Sequence, residues 1–270
     1  MTRPTRTLPR LRALLAATAL CATGLAAQAA VLILGAPRQP NGLADVQAKL
    51  SDTGLLGGVV DVFNVAGDTP TLALLSAYDS VLVFSDARYA SGTLLGNVLA
   101  DYVDAGGGVV EAAFSHYSGP LGGLAGRFVT QNYDVYTTAF GQSSCGALGA
   151  TTLAASPLLD GVDSFSGGAS AYCNRVNQKA GTTLVASWSN GEELLAYRLD
   201  HNAPVVGLNM YPVSSDVRSD FWDTSTDGAR LMANALAFAG RLNQVPEPDS
   251  LALLGIATVA AGIALRRRKA

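Results

Sequence analysis

Four short strand candidates alternate with helical segments through the first half of the chain, and this alternation restricts the possible folds more than any other feature. The strand candidates cover residues 31–35, 59–65, 80–84 and 109–114, and the first is a continuous apolar run. Between them, residues 41–52, 71–78 and 93–105 carry apolar side chains at helical spacing. Gly106-Gly107-Gly108 follow the last of these segments, and glycine permits the left-handed conformation that ends a helix. Strands that alternate with helices in this way predict right-handed crossovers and a parallel sheet covered on both faces.

The second half is less regular and predicts an antiparallel part of the domain. Residues 119–149 are rich in Gly, Ser and Tyr and are interpreted as a loop excursion. Strand-like runs follow at residues 183–187, 194–199 and 205–210. Asn190-Gly191 between the first two is a hairpin-turn signal, and residues 223–239 predict a closing helix. The predicted fold is an α/β, flavodoxin-like three-layer sandwich with a mainly parallel central sheet and an antiparallel C-terminal part.

Residues 1–29 have the three parts of a secretory signal peptide. Arg3, Arg6, Arg10 and Arg12 make the basic region, residues 13–25 the apolar region, and Ala27-Gln28-Ala29 the small-residue cleavage site. An N-terminal membrane anchor is the alternative, but the apolar region is short and small residues close it. We therefore expect the secretion machinery and a signal peptidase as partners, and a mature chain that begins at Ala30.

The C-terminal residues carry a second targeting pattern. Pro246, Glu247 and Pro248 precede an apolar stretch over residues 250–265, and Arg266, Arg267, Arg268 and Lys269 follow it. The stretch has 16 residues, whereas a permanent span needs about 20. Basic residues after an apolar helix are retained on the cytoplasmic side of a membrane.

This order closely resembles the PEP-CTERM sorting signal of Gram-negative bacteria, which an exosortase recognises and cleaves. The resemblance implies a sorting signal over residues 245–270 whose helix enters the inner membrane transiently through residues 250–265. It also implies cleavage near Pro246 to Pro248 and delivery to the outer surface or the extracellular matrix. An ordinary single-span anchor is the alternative. Residues 30–244 would form the exported domain in either case.

Cysteine usage agrees with export. Cys21 falls in the signal peptide, so the exported chain retains only Cys145 and Cys173. In an oxidising compartment these two most simply pair with each other. Closing the loop between them would stabilise the domain by about 3 kcal/mol. A reactive nucleophilic thiol is the alternative interpretation.

The charge of the exported domain restricts its partners. Residues 30–244 hold 10 Lys and Arg against 19 Asp and Glu, a net charge of −9. An acidic surface repels the phosphates of nucleic acids, so nucleic-acid binding is not expected. Extracellular polysaccharide remains a candidate partner.

Residues 99–110 combine a helix, a glycine turn and a strand. Two further segments cover residues 156–162 and the stretch from residues 205–212 through residues 227–235. Together these segments resemble the class I glutamine amidotransferase-like superfamily, especially its trehalose-utilisation-like members. Active amidotransferases place a catalytic Cys after the strand that corresponds to residues 109–114. Ser115 and His116 stand there without any Cys. The resemblance therefore implies the fold for residues 30–244 and argues against glutaminase chemistry.

Polar residues at the ends of two predicted strands are the candidate catalytic groups. Ser115 and His116 follow the fourth strand, and Ser85 and Asp86 follow the third. Open α/β sheets bind ligands at this edge. Adjacent residues on a strand point to opposite faces, however, and no G-x-S-x-G elbow is present. Ordinary turn and cap roles are the alternative for all four residues.

Asp223 and Asp227 are candidate metal ligands, because the segment that they bound begins like a calcium loop. Asn234 occupies the twelfth position, where such a loop needs a carboxylate. An N-cap formed by Thr224 or Ser225 explains the segment more simply. The two histidines of the chain lack metal-site spacing, and no cofactor is expected.

Six aromatic side chains are candidates for stacking on sugar rings, with core packing as the alternative. They are Tyr133, Tyr136, Phe140, Tyr172, Trp188 and Trp222. As a whole, the sequence predicts an exported envelope or matrix protein whose amidotransferase-like domain lacks catalysis. The alternative is an extracellular hydrolase or carbohydrate-active enzyme, or a glycan- or solute-binding module, that uses the crevice at the sheet edge.

Overall fold

The computed structural model describes residues 30–240, which form one large sheet with helices on both faces. The strands are β1 (Val31–Ala36), β2 (Val60–Asn64), β3 (Ser80–Ser85), β4 (Gly108–Ala112), β5 (Gly141–Gln142), β6 (Leu148–Thr151), β7 (Cys173–Asn174), β8 (Thr183–Trp188), β9 (Glu193–Arg198) and β10 (Val205–Leu208). The helices are α1 (Gly42–Asp52), α2 (Leu72–Leu75), α3 (Gly92–Asp104), α4 (Arg127–Thr130) and α5 (Gly228–Ala239), with a 3-10 turn at Pro157–Leu159.

The predicted signal peptide, residues 1–29, and the predicted sorting helix, residues 250–265, lie outside the described residues. Of the helices between residues 30 and 240, none combines the length and the apolar character that crossing a bilayer requires.

Eight strands make the central sheet, in the order β2-β1-β3-β4-β10-β9-β8-β6. The first five run parallel to one another. β9 is antiparallel to both β10 and β8, and β6 is antiparallel to β8. The predicted α/β fold is therefore confirmed, including the antiparallel hairpin of β8 and β9. β10 joins the parallel part of the sheet to the antiparallel part, because it pairs in parallel with β4 and antiparallel with β9.

Two separate cores cover the two faces of the sheet and complete the three layers. On one face, α1 and α5 bury Val46, Leu50, Leu231 and Met232. On the other face, α2 and α3 bury a second set that includes Leu75, Leu95, Leu99 and Val103. All six residues of β1 and of β3 are buried, as expected for central strands that are covered on both faces.

Several predicted boundaries are wrong, among them the end of the strand predicted over residues 205–210, because β10 ends at Leu208. β4 ends at Ala112 and not at residue 114, because the chain turns there and the N–H of Ser115 donates to the Ala112 carbonyl oxygen at 2.8 Å. Ser115 and His116 therefore lie in a turn and not, as was expected, on opposite faces of a strand. The predicted loop of residues 119–149 contains α4, β5 and the start of β6. The closing helix begins at Gly228 and not at residue 223.

The predicted cap by Thr224 or Ser225 is also wrong. The Asp223 carboxylate accepts the Ser225 backbone N–H at 2.9 Å and its hydroxyl at 2.7 Å. These bonds hold a turn ahead of α5, because an aspartate competes well for nearby backbone N–H groups.

The described segment enters and leaves the domain at one edge of the sheet. The Ala30 N–H, just before β1, donates to the Asp79 carboxylate at 2.9 Å, just before β3. At the end of α5, Ala239 packs on the first residue of β4, where a Cβ added to Gly108 would lie 2.1 Å from the Ala239 carbonyl oxygen. Both ends therefore lie at the amino edge of the parallel strands. The carboxyl edge is about 17 Å away for strands of this length.

Candidate functional site

A cleft of about 300 Å³ opens at the carboxyl edge of the parallel strands. This edge cleft is lined by Ser85, Asp86, Phe114, Tyr117, Gln142 and Tyr172, among others. A side chamber of about 220 Å³ shares Asp86, Phe114 and Tyr172 with it and adds Arg38, Tyr211 and Arg218. The edge at which open α/β sheets bind ligands is therefore hollow in this domain.

Aromatic rings form much of the wall between the two cavities. Phe114 meets Tyr117 and Tyr172 edge-on, with ring centroids 6.5 and 6.1 Å apart, and stacks on Tyr211 at 6.0 Å. Phe114, Tyr117 and Tyr172 are only partly buried. These three side chains combine apolar faces with two hydroxyl groups, a combination that suits an amphipathic ligand.

The structure places two of the candidate catalytic residues, Ser85 and Asp86, in the edge cleft. Ser85 is 2% exposed, and Asp86 is partly exposed. The Arg38 guanidinium donates to the Asp86 carbonyl oxygen at 2.7 Å, and its Nε lies 3.9 Å from the carboxylate. Burial raises the pKa of Asp86, and the nearby Arg38 opposes that shift in part.

The other two candidates, Ser115 and His116, are buried at 1% and 3% exposure and are absent from the residues that line the cleft. The Ser115 hydroxyl donates to the Ala112 carbonyl oxygen. His116 meets Tyr136 edge-on at 5.2 Å, and burial lowers the pKa of His116 to about 3. The structure does not bring these residues together with Ser85 and Asp86 as a nucleophile and base on one accessible surface.

A buried carboxylate that the sequence analysis missed lies beside His116. Glu111, in β4, is fully buried, and its Oε2 is 3.6 Å from His116 Nδ1. Its other oxygen accepts the Val135 N–H. Burial, with the nearby Asp134, raises the pKa of Glu111 well above its usual value. A single Glu inside the apolar run of β4 was the available signal, because isolated carboxylates are rarely buried.

Charged groups continue from Glu111 toward the antiparallel strands. Lys179 donates to the Asp134 carboxylate at 2.7 Å, and Arg198 donates to the Asp134 carbonyl oxygen at 2.9 Å. Arg198 also binds both oxygens of Asp200 at 2.7 Å. This network joins the loop after α4 to β9. It lies away from the edge cleft, so we interpret it as part of the core.

The two candidate metal ligands serve local structure. Asp223 holds the turn at Ser225, and the Asp227 carboxylate accepts the backbone N–H groups of Asp163 and Ser164 at 3.0 and 2.9 Å. Between residues 30 and 240, no group of three or more His, Cys, Asp or Glu side chains is placed to hold a metal ion.

Cys145 and Cys173 form a disulfide, which confirms the predicted pairing. It supports one wall of the edge cleft, because β5 and β7 pair so that Gln142 lies opposite Cys173. The Gln142 amide nitrogen is 3.5 and 3.3 Å from the two sulfur atoms. Tyr172, next to Cys173 in the chain, lines the cleft from the same wall.

The six aromatic candidates fall into two groups. Tyr133, Tyr136, Trp188 and Trp222 are at most 6% exposed, so core packing accounts for them. Tyr172 lines the edge cleft. Phe140 is 62% exposed and meets Tyr117 edge-on at 6.2 Å, which places it beside the cleft.

Comparison with known families decides the meaning of the C-terminal pattern. A family model described as the PEP-CTERM protein-sorting motif matches residues 244–269. Residues 244–269 are a PEP-CTERM sorting motif. The motif implies that an exosortase processes the chain and that the protein is exported through the membrane to the cell surface.

Comparison with solved structures establishes the fold of the domain. A ThuA-like protein from Bacteroides uniformis is 12% identical, with a TM-score of 0.58 over 78% of this chain and 91% of that chain. A ThuA-like protein from Parabacteroides merdae is 16% identical, with a TM-score of 0.52 over 81% of this chain and 93% of that chain. No curated protein matches the chain. The PEP-CTERM motif thus accompanies a fold similar to that of ThuA-like proteins, and at these identities the likeness concerns the fold alone.

Proposed function

We propose that residues 30–244 are a non-catalytic binding domain that is displayed at the cell envelope or in the extracellular matrix and takes a carbohydrate in the edge cleft. In this proposal residues 1–29 are a signal peptide, and residues 245–270 are the tail that the exosortase removes. The observation that carries it is the partly exposed wall of Phe114, Tyr117 and Tyr172 beside polar groups at the carboxyl edge.

The chemistry of the cleft supports binding rather than hydrolysis. Ser85 and Asp86 are its polar candidates, and the two histidines of the chain lie elsewhere. His116 is buried and is absent from the residues that line the cleft. His201 stacks on Tyr133 at 4.2 Å, in the turn between β9 and β10. A serine without a base within hydrogen-bond reach is a poor nucleophile.

The walls of the cleft suit a sugar ring. A pyranose has apolar C–H faces and a polar rim, and the cleft offers aromatic faces together with Ser85, Asp86 and the Gln142 amide. Its volume, about 300 Å³, is at the lower end of the usual range for ligand sites.

Replacing Tyr117 with Ala should weaken glycan binding about tenfold, because partly exposed aromatic anchors dominate binding at such sites. The full chain in detergent is first screened by thermal shift against oligosaccharides, and hits are titrated by calorimetry. Tyr78→Ala is the matched control, since Tyr78 is also a half-buried tyrosine but lies before β3 at the amino edge. Wild-type affinity in Tyr117→Ala, or no saturable shift with any glycan, would contradict the proposal.

Replacing Arg266, Arg267 and Arg268 with Gln should block processing, because the basic cluster retains the end of the apolar segment in the cytoplasm. We expect the variant to keep its tail and to be lost from the cell surface. Mass spectrometry of surface and membrane fractions measures both effects. Cells that lack the exosortase are the control, and a shortened wild-type chain in those cells would show that another protease removes the tail.

A further inference from the structure

Arginine side chains collect around the edge cleft. Arg38 and Arg218 line the side chamber. Arg88 lies by Leu121 and Gly122, which also line the edge cleft, and Arg175 donates to the Gln142 side chain in the cleft wall at 2.6 Å. Of the nine Lys and Arg in residues 30–240, these four therefore lie in the side chamber or beside the residues that line the edge cleft.

Two of these arginines lack a neutralising carboxylate. Arg88 donates to the Pro120 carbonyl oxygen at 2.6 Å, and Arg175 to an amide oxygen. Within residues 30–240, neither makes an ion pair with a carboxylate at 4.0 Å or less. Both are exposed, so their remaining N–H donors face solvent.

Most basic side chains away from the cleft are neutralised. Lys49 pairs with Asp216, Arg127 with Asp101 and Asp104, Lys179 with Asp134, and Arg198 with Asp200. At the cleft, Arg218 binds both oxygens of Asp220 and stacks over Phe221 at 4.1 Å. Arg38 is 3.9 Å from the Asp86 carboxylate. Among the basic side chains of residues 30–240 that form no ion pair with a carboxylate, Arg88 and Arg175 lie beside the cleft and Arg230 lies on α5. The net charge over residues 30–244 is −9.

We infer that the edge cleft binds an acidic glycan, with sugar rings on Phe114, Tyr117 and Tyr172 and carboxylates on the rim arginines Arg88 and Arg175. This inference rests on the proposed binding function and names its ligand class. The planar guanidinium group matches a carboxylate with two parallel hydrogen bonds. Positive charge in a negative surface also steers an anionic ligand to this one site.

Nucleic acid is the competing anionic polymer, and the charge distribution disfavours it. A single strand is bound along a continuous positive groove, with phosphate contacts over many nucleotides. Beyond the cleft, the acidic surface would repel such a strand. A short uronate oligomer needs only the few cations at the rim.

The test compares two ligands with the same sugar rings, one with charged carboxylates and one with neutral methyl esters. The full chain in detergent is titrated with a tetramer of galacturonic acid and with its fully methyl-esterified form, which has the same rings without carboxylates. We expect the acid to bind about tenfold more tightly than the ester at low salt. The preference should shrink as NaCl is added, because salt screens exposed charges.

Two substitutions test whether the rim arginines cause the preference for the acid over the ester. Arg88→Gln and Arg175→Gln should each weaken binding of the acid about fivefold and leave binding of the ester unchanged. Arg230→Gln is the matched control, because it removes the same charge from α5, where Arg230 donates to the Asp160 carbonyl oxygen at 2.9 Å.

The outcomes separate the inference from the proposed function. Equal binding of acid and ester would overturn the acidic-glycan inference and leave glycan binding in place. Binding of neither form, together with no response to other glycans, would overturn both. Binding of a ten-nucleotide single-stranded DNA as tightly as the acid would also overturn the inference, because it would show a general polyanion site.

Discussion

Replacing both Cys145 and Cys173 with Ser should lower the free energy of unfolding by about 3 kcal/mol. The disulfide joins two residues with a sequence separation of 28. Its loss restores conformational freedom to the unfolded chain. Urea unfolding of the oxidised wild type and the double variant measures the change. A reductant should reproduce the loss in the wild type and have no effect on the variant. A difference below about 1 kcal/mol would show that packing alone holds the loop.

The same replacement should weaken ligand binding as well as stability. Gln142 and Tyr172 line the edge cleft from the wall that the disulfide holds. Binding should therefore fall in the double variant even at low temperature, where the domain remains folded. Unchanged affinity would mean that the hydrogen bonds between β5 and β7 position this wall without the cross-link.

Replacing Glu111 with Gln should change how stability depends on pH, because acidification has opposite effects on stability through Glu111 and through His116. The pKa of Glu111 is raised above its usual 4.5 by burial. This group therefore favours the folded state below pH 4.5, and the contribution is lost as the pH rises through the raised pKa. The pKa of His116 falls from 6.5 to about 3, also by burial. Its contribution is complete above pH 6.5 and is lost as the pH falls toward 3.

Between pH 4.5 and 6.5 the two effects oppose each other in the wild type. Glu111→Gln removes the Glu111 effect and keeps the His116 effect, so His116 should lower stability on acidification by up to about 1.4 kcal/mol per pH unit below pH 6.5. Above pH 6.5 the variant should be more stable than the wild type. Gln keeps an acceptor for the Val135 N–H, which makes the change nearly isosteric.

Urea unfolding at pH 4 to 8 measures both slopes, and His116→Gln is the reciprocal variant that should remove the acid slope. Asp134 and Lys179, which lie close to Glu111, are unchanged in both variants. Parallel stability curves for wild type and Glu111→Gln would show that Glu111 titrates normally in the folded state.

Local pattern was enough to predict the sheet. The apolar runs of β1, β3 and β4 and the Asn190-Gly191 turn between β8 and β9 carry their signals within a few residues. Signal peptides and sorting motifs are local in the same way, since the enzymes that process them recognise contiguous residues. The position of Ser85 and Asp86 at the ligand edge followed from the rule for parallel sheets.

The cleft itself could not be predicted, because its walls come from distant parts of the chain. Phe114, Gln142 and Tyr172 meet only after the segment between β4 and β8 has folded over the sheet edge. The error over Ser115 has a related cause. Nothing in the run from Val109 to Ala113 shows that the strand stops at Ala112, since the turn there depends on tertiary contacts such as the Phe114 N–H with the Ser85 carbonyl oxygen at 3.0 Å.

The end of α5 against Gly108 has a consequence for the orientation of the displayed domain. The chain passes into residues 241–270 from the amino edge of the sheet, whereas the edge cleft opens at the carboxyl edge. Any attachment made through that segment therefore joins the described domain at the edge of the sheet opposite the cleft. The point at which the chain leaves the domain therefore does not compete with a ligand for the mouth of the cleft.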